Sequence, residues 1–331
     1  MAIATDRRRA MEITERLRRS GVPMAVFCTA SHWNTEAILL AARHMAERYS
    51  IKDIPVAVAM TFTYENMPQA CRITYSQDPQ AGFISIMEHL KALCGRPTSP
   101  YYDVTVLPHL DHADPQKDRW ALTEGADYLA SVMFDAQKYP WDENVALTAD
   151  YVKAYGDRVL VEGIFERLSV EGRAKGSAET AEKAAGAGKA DSYVSDAVEY
   201  MKRTKVDFLV ADLGTEQQTR APGGVKYLKD RARLLTERLG AAMLVLHGTS
   251  SLSNDQMQDL GADGVVRVNM WTRIAREAGQ YAAGQLVARK SLIDAGEFEA
   301  AESRQYLYDS IEQAARIMED ILEILGYARL R

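Results

Sequence analysis

The stretch Val104-Thr-Val-Leu-Pro-His-Leu-Asp-His-Ala-Asp-Pro115 decides the reading of the fold. A β-branched, apolar run ends abruptly in two histidines and two aspartates. It reads as a buried strand that delivers His109, Asp111, His112 and Asp114 to one end of a sheet. Two of the six histidines stand here, three residues apart beside a carboxylate. Such a group offers donors for a metal ion and an acid for proton transfer. It also fits a polar strand end with hydrogen-bonded histidines, so the rest of the chain has to decide.

Outward from this stretch, apolar runs alternate with amphipathic ones. Strands are expected at 24–29, 56–62, 128–135, 158–164, 206–214, 242–248 and 264–270, with the opening stretch third in order. Helices are expected over 6–20, from a cap at Asn34 to about Tyr49, and over 82–93, 115–124, 142–155, 192–204, 227–239 and 254–260. A further helix begins at Arg273, and residues 297–326 add one or two more. Residues 168–191 are rich in Gly, Ala, Ser, Glu and Lys and read as a mobile loop, either a lid or a tolerated insertion. Eight strand–helix units indicate a parallel sheet covered on both faces, and their number favours a closed (β/α)8 TIM barrel over an open doubly wound sheet. No Gly-rich nucleotide loop follows the first strand, which counts against the open sheet. The expectation is one α/β domain over 1–331, with the barrel at about 23–290 and extra N- and C-terminal helices, the latter at about 297–326.

Composition narrows the class of function. The 331 residues are 47% hydrophobic and carry a formal net charge of -6 with both signs interspersed. That excludes a basic nucleic-acid face and points to a small-molecule ligand. Three scattered cysteines, Cys28, Cys71 and Cys94, form neither a disulfide framework nor a thiolate metal site, so a reducing cytoplasm is expected. The N-terminus lacks a secretory apolar region, and no apolar run approaches the roughly 20 residues of a membrane span.

In such a barrel the chemistry sits at the C-terminal ends of the strands. Those ends carry His109, Asp111 and His112, then Asp135, then Glu162 and Glu166, then Asp212, Glu216 and Gln217, then His247, and last Asn269. The strand starts carry mostly Pro23, Pro55, Asp103, Arg158, Asp207 and Ala242. The asymmetry favours a site at one mouth over general surface polarity.

These residues carry a resemblance. Pro-His-Leu-Asp-His (108–112), Ser-Val-Met-Phe-Asp-Ala (131–136), Asp-Glu-Asn (142–144), Val-Glu-Gly (161–163), Val-Asp-Phe-Leu-Val-Ala-Asp-Leu-Gly-Thr (206–215), Leu-Val-Leu-His-Gly-Thr-Ser (244–250) and Val-Arg-Val-Asn-Met-Trp-Thr (266–272) stand in order. Together they resemble the class II, metal-dependent ketose-bisphosphate aldolases. The resemblance implies a TIM barrel, a homodimer or higher homo-oligomer, and a divalent metal, commonly Zn2+, held by three histidines. It implies His112 and His247 as ligands and Asp111 as the acid/base. Gly214, Gly248, Ser250, Asn269 and Thr272 would lie around substrate and phosphate, with His109, Asp135 and Arg267 supporting them. A loop glutamate, Glu166 or Glu171, would abstract a proton, and Glu171 is taken as that residue.

The departures matter as much. The family's remaining histidine lies in Gly-Thr-x-His-Gly, whereas this chain reads Gly214-Thr-Glu-Gln-Gln218. Gln217 stands in the place of the ligand, and an amide oxygen is a poor zinc ligand beside imidazole. Either Glu216 or Glu162 supplies an oxygen, or the metal differs, or the site is weak or lost. Trp271 replaces an acidic residue, and Arg267 replaces a lysine and needs a carboxylate such as Asp212 or Asp135. Arg220 is a candidate anion contact near the altered loop. The expectation is a metal-dependent aldolase acting on a ketose phosphate or related hydroxyketone other than fructose 1,6-bisphosphate. The alternatives are another enolate-forming lyase or isomerase, or a non-catalytic binding or regulatory protein. Keeping Asp111, His112, Asp135, His247 and Asn269 together weighs against the last.

Overall fold

The computed structural model describes residues 2–170, 187–217, 227–297 and 303–331. In chain order the elements are α1 (Arg7–Arg19), β1 (Met24–Cys28), α2 (His32–Tyr49), β2 (Ile54–Thr61), α3 (Pro79–Cys94) and β3 (Val104–Ala113). There follow α4 (Arg119–Leu122), β4 (Ser131–Phe134), α5 (Trp141–Tyr155), β5 (Leu160–Gly163), β6 (Ser169–Val170), α6 (Ala187–Thr204), β7 (Phe208–Val210) and β8 (Glu216–Gln217). The chain ends with α7 (Lys229–Leu239), β9 (Leu244–Leu246), α8 (Asn254–Gln258), β10 (Val265–Met270), α9 (Thr272–Asp294) and α10 (Ser303–Ile324).

Eight of these strands close a parallel barrel in the order β1-β2-β3-β4-β5-β7-β9-β10, with β10 returning to β1. Every residue of these strands is buried. That is why they read as continuous apolar runs rather than alternating ones. The expected (β/α)8 TIM barrel is the observed fold. No helix among the described residues is long and apolar enough to cross a membrane.

Local chemistry sets the helix starts. Asp6 accepts from Arg9 N at 2.9 Å to open α1, and Asp78 accepts from Gln80 N at 2.8 Å ahead of Pro79 in α3. The cap of α2 is Ser31, which accepts from Asn34 N at 3.2 Å. Asn34, expected as that cap, is instead buried inside the first turn. The helix expected over 115–124 shrinks to α4 plus a 3-10 turn over Glu124–Tyr128, so β4 begins at Ser131 rather than at 128. Residues 171–186 of the expected mobile loop lie outside the described residues.

The C-terminal segment packs on its own barrel. Helix α10 lies against α2 and α9, and its Glu319 takes His44 at 2.7 Å and Arg48 at 2.9 Å. Beyond it, buried Tyr327 accepts from the Ala25 backbone N–H at 2.9 Å through its hydroxyl. Tyr327→Phe strands that N–H and should lower stability by about 1–3 kcal/mol, measured by urea denaturation.

Candidate metal centre and active site

Strand β3 solves a problem set by its own sequence. Adjacent residues of a strand point to opposite faces, so Asp111 and His112 should not share a site. The pairing with β4 runs Leu110↔Val132 and then Ala113↔Phe134, so Asp111 and His112 together face one residue. This bulge, with His112 at φ 47°, brings both side chains to the mouth. A left-handed backbone at a non-glycine residue costs about 1–2 kcal/mol, and here the bulge holds it.

Four strands meet there. The donor atoms of Asp111, His112 and His247 all lie within 4.8 Å of one another. Asn269 Nδ2 donates to Asp111 Oδ1 at 3.1 Å, and the Cys28 thiol lies 3.6 Å from Asp111 Oδ2. Burial raises the Asp111 carboxyl above its usual range, against the pull of His112. Burial drives His247 well below its usual pKa, so the ring is neutral, the form that binds metals. Burial also opposes the charging of His112, but Asp111 and Asp135 outweigh it and raise its pKa.

Behind these residues stand the groups that aim them. His112 Nδ1 pairs with Asp135 Oδ2 at 2.7 Å, and Gln137 Nε2 donates to the same oxygen at 2.8 Å. With Nδ1 donating to this carboxylate oxygen, Nε2 is left to face the mouth. Tyr64 stacks on the His112 ring, with centroids 4.2 Å apart and planes at 7°. Gln217 Nε2 lies 3.2 Å from His112 Nε2, and Tyr64 OH lies 3.4 Å from Gln217 Oε1. Gln217 sits on β8, which pairs with β6 as a two-stranded ribbon.

One layer deeper, a buried polar group occupies the barrel interior. Arg267 Nε lies 2.7 Å from Glu162 Oε1, and both side chains are fully buried. Arg267 Nη2 donates to Ser131 Oγ at 3.0 Å, and Ser131 Oγ meets His109 Nδ1 at 2.8 Å. Burial pushes the Glu162 carboxyl up to about 7 despite Arg267. Two expectations change here. The partner of Arg267 is Glu162, not Asp212 or Asp135. Glu162 stands outside the group that could hold a metal, because Arg267 holds it below the mouth.

The remaining residues sort by place. Gly248, Ser250, Asn269 and Thr272 line one cleft with Asp111, His112, Gln217 and His247, and Trp271 and Arg273 are also on its wall. Gly248 has φ 71°, and a Cβ there would lie 2.8 Å from the Glu216 carbonyl carbon, so only glycine lets the two mouth segments touch. Gly214 donates its N–H to Asp212 Oδ1 at 2.9 Å. Glu166 is tied back, accepting from Tyr193 OH and from Asp212 N at 3.0 Å. Burial, then Asp212, raises its pKa to about 7. Glu171 and Arg220 lie outside the described residues. Tyr64 and Cys28 were not among the expected site residues. Tyr64 falls in the polar stretch after β2, where no periodicity marks it, although Cys28 ends a strand and that position was its signal.

The site fits a divalent ion. His247 Nε2 is buried without a hydrogen-bond partner, and unlike the other buried imidazole nitrogens in that state it converges with the donor atoms of Asp111 and His112. Two imidazoles beside a carboxylate are donors that divalent transition metals accept.

Comparison with known proteins gives the same direction. The family model described as class II fructose-bisphosphate aldolase matches residues 8–329. A fructose-bisphosphate aldolase of Giardia intestinalis is 29% identical over 177 residues, covering 52% of this chain and 50% of that protein. One from Xanthobacter flavus is 30% identical over 191 residues, covering 53% of each. The chain therefore spans about half the length of these curated relatives. Among solved structures, a fructose-bisphosphate aldolase from Campylobacter jejuni superposes with TM-score 0.73 at 16% identity, covering 98% of this chain and 96% of that one. The YdjI aldolase from Escherichia coli K12 does so with TM-score 0.63 at 14% identity, covering 98% and 97%. These likenesses show the shared barrel.

Proposed function

The chain belongs to the class II fructose-bisphosphate aldolase family, and from that membership we propose that it is a metal-dependent aldolase. Its substrate is a ketose phosphate or related hydroxyketone, with a preference moved away from fructose 1,6-bisphosphate. The observation that carries this reading is the convergence of Asp111, His112 and His247 at the mouth, with His247 Nε2 left unpartnered. His112 and His247 hold a divalent ion, zinc being the family's usual choice. The ion supplies the Lewis acidity that lets a carbon–carbon bond beside a carbonyl break or form without a Schiff base.

The chain's own residues do the rest. Asp111 exchanges a proton with the hydroxyl that becomes the aldehyde, and its raised pKa suits a group that must hold and release that proton. Asn269 keeps the Asp111 carboxylate turned to the mouth. Asp135 fixes the orientation of the His112 ring. Gly214, Gly248, Ser250 and Thr272 bind the phosphate end, and Arg220 adds an anion contact. Glu171 serves as the loop acid/base. Trp271, in the place of an acidic residue, removes a polar contact from the cleft wall, which supports the altered preference. The protein works as a homodimer or higher oligomer in the cytoplasm, a compartment that its three free cysteines suit.

An aldol-cleavage screen over ketose phosphates and unphosphorylated hydroxyketones, read as aldehyde release, tests the reading. Asp111→Asn should lower kcat by about 100- to 10,000-fold while bound metal stays stoichiometric. No cleavage of any ketose by metal-loaded protein sinks the proposal.

A further inference from the structure

The geometry points to Gln217 as the third protein ligand of the ion, through its amide oxygen. It further assigns to this site a weaker preference for zinc over harder divalent ions such as Mn2+ than three histidines would give. This rests on the metal-dependent reading above and deepens it.

Three observations carry it. The first is position. The Gln217 amide lies 3.2 Å from His112 Nε2. Two ligands of one tetrahedral ion, each about 2.0–2.1 Å from it, stand about 3.3 Å apart. The amide is therefore already at ligand distance from a neighbouring ligand. The alternatives are worse placed. Glu162 is held below the mouth by Arg267, and Glu216 is not in the group whose donor atoms converge. Asp111 is in that group, but Asn269 holds one of its oxygens and the Cys28 thiol lies against the other, and proton transfer needs it free of the ion.

The second observation is orientation. Asp135 fixes a hydrogen on His112 Nδ1, so in the neutral ring Nε2 is an acceptor. Without an ion, the Gln217 NH2 end caps that nitrogen. Half a turn of the amide brings Oε1 to the same place at little cost, because the two ends have nearly the same shape. The other end meets Tyr64 OH, at 3.4 Å from Oε1. A phenol both donates and accepts, so Tyr64 serves either orientation.

The third is support. The backbone of Gln217 is paired in register with Val170. Glu216, before it, is pressed against Gly248, and its N–H lies 3.2 Å from Ser251 Oγ. Tyr64, which touches the amide, is stacked on the His112 ring. A ligand held on a ribbon and braced by an aromatic ring is preorganised rather than a stray loop residue. The consequence for the ion follows from donor chemistry. Imidazole suits zinc, whereas carbonyl oxygen suits Mn2+ and Mg2+.

Metal-stripped full-length protein titrated with Zn2+, Co2+ and Mn2+ against a chromophoric chelator tests this, with the visible spectrum of the Co2+ form as a second readout. Gln217→Leu should weaken binding of each ion by about 10- to 100-fold and change the Co2+ spectrum. Gln217→His should raise the ratio of zinc to manganese affinity by about tenfold or more. If Gln217→Leu keeps the parent affinities and spectrum while His112→Ala and His247→Ala lose them, Gln217 is not a ligand and the aldolase reading stands without it. A weaker Gln217→Leu with an unchanged spectrum, and Gln217→His with an unchanged ratio, also overturns it, because that pattern belongs to a residue that only orients His112. Parent protein that binds none of the three ions removes the metal-dependent reading itself.

Discussion

His247→Ala is expected to lose bound metal and to lower aldol cleavage by about 1,000-fold or more. A Lewis-acid ion contributes several kcal/mol to stabilising charge at a carbonyl oxygen. Each 1.36 kcal/mol is a factor of ten, so about 4 kcal/mol gives the expected loss. His247 is chosen because its Nε2 has no hydrogen-bond partner and its ring is held neutral by burial. Removing that nitrogen breaks no hydrogen bond of its own, so the fold should survive. The backbone carbonyl of His247, which accepts from Thr215 Oγ1 at 2.6 Å, is untouched by the substitution. His109→Ala is the useful contrast. His109 meets Ser131 through Nδ1 in the layer below and stands outside the group of converging donor atoms, so that variant should keep its metal. Metal content by elemental analysis and aldehyde release, with circular dichroism as a check on folding, measure both. A folded His247→Ala that retains stoichiometric metal and parent turnover would falsify the assignment of His247 as a ligand.

The barrel and the centre of its mouth were legible in the sequence for a physical reason. Strands buried on both faces must be apolar throughout, so a polar group at the end of one stands out. His112, Asp111, His247 and Asn269 stood out in this way. What the pattern could not carry was pairing across the barrel interior. The partner of Arg267 depends on the register of β5 against β10, which do not adjoin, and so sequence alone leaves Glu162 among the candidate metal donors. The bulge at Asp111 and His112 was equally hidden, since one residue's positive φ leaves no mark on composition. The ribbon of β6 and β8 has two residues per strand, too few for any periodicity. Yet that ribbon holds Gln217. Tyr64 shows the general limit: its stacking on His112 joins residues far apart in sequence through tertiary contact alone.

Arg267→Met is expected to destabilise the protein by about 3–5 kcal/mol, with Glu162 as the cause. Arg267 and Glu162 are both fully buried, so neither can turn to water when the other is removed. Arg267 also donates to Ser131 Oγ at 3.0 Å and lies 5.7 Å from the centre of the Phe208 ring, contacts that methionine keeps only in part. The carboxyl of Glu162 is pushed up to about 7 even with the guanidinium beside it. Without that charge its pKa rises further, and at pH 7 folding must protonate the group or bury a naked charge. The double variant Arg267→Met, Glu162→Leu removes both charges and should recover most of the loss, since matched apolar replacement of a buried pair is close to neutral. Arg267→Lys should fall between, because an ammonium keeps the charge but not the fork that spans Glu162 and Ser131. Urea unfolding of the four proteins at pH 7 measures the series. A single Arg267→Met as stable as the parent would mean that Glu162 is already neutral there. The pair would then be a hydrogen-bonded contact rather than an ion pair, and the double variant should show no recovery.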